Sequence, residues 1–173
     1  MISHIPSILL RFILLLLSQV LIISNINFST YVNPYVYPLF VLLLPFEMSR
    51  LALMMAGMLS GFALDIFLGS IGMHAAAGLA LGYFRPLLIK LITPTGTEFE
   101  VSPNIYAQGT TWFIIYCGTA TLLYLLFYFI LEEVTLRNVL HLLLKVILST
   151  LVSVIFMILF VYLFSSRRKK RFA

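Results

Sequence analysis

Charge is scarce in this chain. Asp, Glu, Lys and Arg make up 10% of its 173 residues, where soluble domains carry about 25%. Long polar stretches are missing as well, so no segment is predicted to fold as a soluble domain. Cysteine is nearly absent. The single Cys117 lies between Tyr116 and Gly118. One thiol makes no internal disulfide, and no Cys/His spacing suits a metal; its plainest reading is a small apolar packing residue. Sets of catalytic residues are lacking too: no Ser/His/Asp arrangement, no HExxH, no phosphate-binding loop and no paired carboxylates inside a span. The sequence therefore predicts neither an enzyme nor a cofactor. Alternation of apolar and polar residues is also missing, which argues against a membrane β-barrel.

What is present is hydrophobic surface. Apolar residues reach 62% and the mean hydropathy is +1.09, far more than a soluble core could bury. Continuous apolar runs satisfy their backbone in lipid only as helices. The expected fold is an all-α integral membrane protein, one six-transmembrane-helix bundle over 1–173. The expected spans cover about 8–24, 35–46, 51–68, 73–92, 111–131 and 139–164, followed by a basic tail over 165–173. The first span is kept as an uncleaved helix, because Asn25 to Ser29 offer no small-x-small cleavage site. The second is short for about 30 Å of hydrocarbon at about 1.5 Å per residue. Pro34, Pro38 and Pro45 punctuate it, so it is expected to bend or to cross only in part.

Net charge is +5, concentrated in Arg167, Arg168, Lys169, Lys170 and Arg171. A cationic cluster abutting a span fixes topology and meets anionic lipid, rather than nucleic acid. With that tail inside, Arg11, Arg50, Arg85 and Lys90 also fall inside, leaving only Arg137 and Lys145 outside. Both termini are then cytoplasmic. Trp112 and the pair Tyr124 and Tyr128 are expected as interfacial belts at the two ends of the fifth span.

The stretch from Gly57 to Gly82 holds most of the polar interest. Gly57, Gly61, Asp65 and Gly69 share one stripe at four-residue spacing on the third span; His74, Gly78 and Gly82 share another on the fourth. Small residues so spaced let helix backbones approach closely. Either the stripes pack these two helices on each other across the turn Gly69–Gly72, or one stripe receives a partner's helix. Asp65 is the single acid inside a span. At a bilayer centre an ionised Asp costs roughly 2.5–3.5 kcal/mol. The free N–H groups of the next helix offer compensation, and His74 offers a further donor. Asp65 is thus expected either to cap the fourth helix or to form a proton or cation site. Arg137, His141 and Lys145 fall four apart at the start of the last span, a solvated helix start in which Lys145 is a candidate to neutralise Asp65.

The run Leu44-Pro45, then Gly61-Phe62-Ala63-Leu64-Asp65-Ile66-Phe67-Leu68-Gly69-Ser70-Ile71-Gly72-Met73-His74-Ala75, then Gly82-Tyr83, resembles the rod-shape-determining MreD family. That family shows an LP end to its second span, followed by G-x-x-x-D-x-x-x-G-S-x-x-G and small residues. The match covers roughly 34–86; the remainder agrees in length, span count and basic end. The resemblance implies a non-enzymatic inner-membrane subunit of the cell-elongation machinery. Its implied partners are the bitopic MreC and, through it, the MreB filament and the peptidoglycan glycosyltransferase and transpeptidase. It also implies a fold similar to the membrane substrate-binding subunits of energy-coupling-factor vitamin transporters. That gives a rival expectation: a small-molecule binder using Asp65, His74, Arg137 and His141.

Overall fold

A computed structural model describes residues 5–21, 23, 32–94, 102–133 and 139–164. The basic tail Arg167 to Arg171, Arg137 and the polar loop around Glu98 and Glu100 lie outside the described residues. Within them the chain is helical and holds no strand. The helices are α1 (Ile5–Leu21), α2 (Leu39–Leu42), α3 (Arg50–Leu68), α4 (Met73–Ile92), α5 (Ile105–Gln108), α6 (Thr110–Glu132) and α7 (Val139–Phe164). Among the described residues, α3, α4, α6 and α7 are long and apolar enough to cross a membrane, and the protein is membrane-embedded.

Helices α3 and α4 form the central unit and share the most extensive contact in the molecule. Ser49 opens α3 by accepting the Ala52 N–H, the usual N-cap chemistry. Gly69 closes it with φ 70°, the left-handed C-terminal geometry that an L side chain resists. Gly72 repeats that geometry at φ 72°, so the chain reverses within four residues and the helices run antiparallel. α4 next packs on α6, and α6 on α7. The buried face of α7 runs Leu142, Val146, Ser149, Ser153, Met157 and Val161, a stripe of the helical period. Its opposite face carries Leu144, Leu148, Leu151, Ile155 and Leu159, all exposed, as a lipid-facing surface requires. Lys145 meets Glu132 at 2.6 Å, and Trp112 Nε1 donates to Thr93 Oγ1 at 3.1 Å. The α3–α4 turn, the end of α6 and the start of α7 therefore share one end of the molecule. The start of α3, the end of α4 and the start of α6 share the other.

The segment expected as a second span is not one helix. Only Leu39–Leu42 is helical, and Asn33 to Val36 form neither helix nor strand. A non-helical backbone buried at membrane depth must find side-chain partners, and this one does. Gln19 of α1 reads the segment as a peptide would: its Nε2 donates to the Pro34 carbonyl at 3.1 Å and its Oε1 accepts the Val36 N–H at 2.7 Å. Ser149 and Ser153 of α7 accept the Asn33 and Tyr35 N–H groups at 3.0 and 2.8 Å. The prolines thus break the helix as their chemistry predicts, and polar side chains from both flanking helices replace the lost ladder.

Arg85 holds the far end of the same segment. It is 1% exposed. Its Nε donates to the Tyr116 hydroxyl at 2.9 Å, its Nη1 to the Pro45 carbonyl at 3.3 Å, and its Nη2 to the Leu42 and Leu44 carbonyls. These carbonyls follow the last turn of α2, where no further helix N–H arrives. Expected among the inside, water-facing cations, Arg85 is instead a buried clamp.

Candidate functional site

Asp65 lies in the last turn of α3 and is 3% exposed. Its Oδ1 accepts the Ser70 hydroxyl at 2.5 Å and the His74 N–H at 3.1 Å; its Oδ2 accepts the Ala75 N–H at 2.9 Å. Gly72, the residue before α4, has no side chain to cap the helix. Asp65 supplies that cap from across the turn, and its charge faces the positive end of α4. Of the two sequence expectations the geometry favours the cap. His74 contributes through its backbone, not through its ring.

The glycine stripes are consumed within the same hairpin. A Cβ on Gly57 would fall on the Gly78 carbonyl, and one on Gly78 on the Gly57 carbonyl. Gly61 abuts the His74 carbonyl and Gly82 the Leu53 carbonyl, each leaving less than 3.0 Å for a Cβ. No room remains on these faces for a partner's helix. Gly69 and Gly72 serve the turn through their positive φ, with open space around them.

Lys145 does not reach Asp65. Its Nζ is ion-paired with Glu132 and stands 4.3 Å from the Phe129 ring centroid. The reason is local: Glu132 ends α6 on the helix that α7 packs against, while Asp65 is already surrounded by three donors. His141 is half-buried on α7.

The ring of His74 is the centre of a cluster that sequence reading missed. The residue is fully buried. It stacks on Tyr128 with centroids 4.3 Å apart and planes within 16°. Tyr35 lies 5.0 Å away, and Tyr37 meets the ring edge-on at 5.9 Å. Nδ1 is 2.6 Å from the Tyr124 hydroxyl, which is 2.9 Å from the Tyr37 hydroxyl, which in turn is 3.3 Å from the His74 carbonyl. One proton arrangement makes all three bonds: Nδ1–H donates to Tyr124, Tyr124 to Tyr37, and Tyr37 to the carbonyl. The network thus assigns the Nδ1–H tautomer. Nε2 is left as a bare lone pair with no partner.

Tyr124 and Tyr128 were expected at the interface; they are buried instead. Their spacing carried the clue. With Phe113, Tyr116, Cys117, Ala120 and Thr121 they continue the buried face of α6, whereas Trp112 sits at the helix end. Tyr35 and Tyr37 reach the site only because the broken segment is drawn in by Gln19 and Ser153, which no local pattern announces. Among the described residues no group of three His, Cys, Asp or Glu is placed to hold a metal.

No family model, curated protein or solved structure matches this chain. What can be said of its function rests on the residues themselves.

Proposed function

We propose that the chain is a non-enzymatic scaffold subunit of the MreD type, acting in cell shape and peptidoglycan synthesis through MreC. It sits in the bacterial inner membrane with six spans and both termini cytoplasmic, the broken segment 32–49 serving as the second span. The observation that supports the reading is how the resembling residues are used. Gly61, Asp65, Gly69, Ser70 and Gly72 all build one hairpin, and none is left facing a reaction centre. A motif devoted to a rigid hairpin suits a protein whose output is a fixed surface. Arg50 and Lys90 lie at the end opposite the hairpin turn, as the positive-inside rule asks of this orientation.

The hairpin's inner faces are filled, so a partner must meet its outer ones. Photo-crosslinkers at Phe62 and Ile66 on α3 and at Leu151 and Ile155 on α7, all exposed, should capture MreC in intact membranes. Capture of nothing but lipid, with an ATPase and a coupling subunit co-purifying, would overturn the proposal. That result would favour the second reading, a membrane substrate-binding subunit of a small-molecule transporter. The observation on its side is the unpartnered His74 Nε2 among four tyrosines.

A further inference from the structure

Every other buried side-chain polar atom among the described residues has a partner; His74 Nε2 alone does not. A fold that finds partners for a buried guanidinium and for a stretch of irregular backbone leaves one acceptor bare. Such an atom calls for an occupant. Its surroundings define what the occupant must be. Nε2 carries a lone pair in the assigned tautomer, so the occupant donates a hydrogen. The walls are the π-faces and edges of Tyr35, Tyr37, Tyr124 and Tyr128, which attract positive charge. The acids nearest Tyr128 are Asp65 and Glu132. The positive end of α4 is already taken by Asp65, and Lys145 by Glu132. Nothing in this set would hold an anion.

We propose that the His74–tyrosine cluster is a binding site for a small organic ammonium, one N–H of which donates to His74 Nε2. The approach is from the side of Tyr35 and Tyr128, the two members of the cluster that retain exposure, 8% and 5%. Tyr35 is carried by the extended segment, whose N–H groups are bound by side chains and not by a helix ladder, so it can turn aside without unwinding a helix. The scaffold reading neither requires this site nor falls with it.

The test uses the full chain in lipid nanodiscs, with His4→Gln and His141→Gln so that His74 is the single histidine, labelled with ¹⁵N. Benzylamine is the probe, with benzyl alcohol and benzoate as neutral and anionic controls of like shape. Benzylamine should shift the Nε2 resonance from that of a free to that of a hydrogen-bonded nitrogen. It should also raise the melting temperature in proportion to the logarithm of its concentration. The two controls should do neither. In His74→Phe, which keeps the stack, the thermal response should vanish. The proposal is overturned if Nε2 is already hydrogen-bonded to a buried water and no probe moves it. It is equally overturned if benzyl alcohol acts as strongly as benzylamine, or if His74→Phe responds like the parent. Should His74→Phe fail to fold, the resonance of the parent decides alone.

Discussion

Asp65 spends both carboxylate oxygens on three donors, and this sets what a substitution does. Asn offers one acceptor oxygen and turns an NH₂ toward a backbone N–H, so one donor of the α4 N-terminus loses its partner. Asp65→Asn should cost about 1–2 kcal/mol and Asp65→Ala about 1–3 kcal/mol, read as denaturant unfolding in detergent. Equal stability of Asn and Asp would show that the cap uses one oxygen only. If Asp65→Asn instead folds normally and loses function, the acid has a second role. Arg85 makes the sharper case. Lys carries the same charge but cannot spread donors over the Tyr116 hydroxyl and three carbonyls as a planar fork does. Arg85→Lys should therefore destabilise nearly as much as Arg85→Met, each by about 3 kcal/mol, on the scale of about 1–3 kcal/mol for each buried group left unsatisfied. A fully stable Arg85→Lys would mean that charge, not geometry, holds the segment.

At the level of elements, the α3–α4 hairpin was readable in advance because its cause is local. Two stripes at four-residue spacing and a turn of four residues force antiparallel neighbours, whatever surrounds them. The consequence is a graded prediction. Gly57→Ala, Gly61→Ala, Gly78→Ala and Gly82→Ala each drive a Cβ into backbone, and backbone cannot step aside as a side-chain tip does. Each should lower the melting temperature by several degrees. Gly118 on α6 has nothing within 4 Å of its would-be Cβ, so Gly118→Ala should be neutral or stabilising, since Ala favours a helix by about 1 kcal/mol over Gly. A uniform loss across all five would show that flexibility, not close approach, is what these glycines supply. The second span was less legible. Its prolines announced a break, but its partners Gln19, Ser149, Ser153 and Arg85 come from three other helices. Each of these looks unremarkable within its own span.

For the whole molecule, the two ends of the bundle are chemically addressable. Glu47 and Ile71 are exposed at opposite ends of α3, and Cys117 is fully buried. A membrane-impermeant maleimide applied to spheroplasts should label Ile71→Cys and spare Glu47→Cys; inverted vesicles should give the reverse. Cys117 should stay silent in both and react only after denaturation, so it needs no removal. Labelling of both sites from one side would break the proposed orientation, and rapid labelling of Cys117 would mean that α6 does not sit in the core.

The sequence alone determined that this is a helical membrane protein with a tight glycine hairpin capped by an acid. Hydropathy, helical period and turn chemistry act over a few residues, so they can be read in order along the chain. Only the tertiary structure decided where the remaining polar groups go. Arg85 bridges to residues 31 to 43 positions away, Tyr124 meets His74 across 50, and Tyr35 leans on Ser153 across 118. In a low-dielectric interior every such group must find a partner. Which partner it finds depends on how the helices stack, and the bare Nε2 of His74 becomes visible only once all the others are paired.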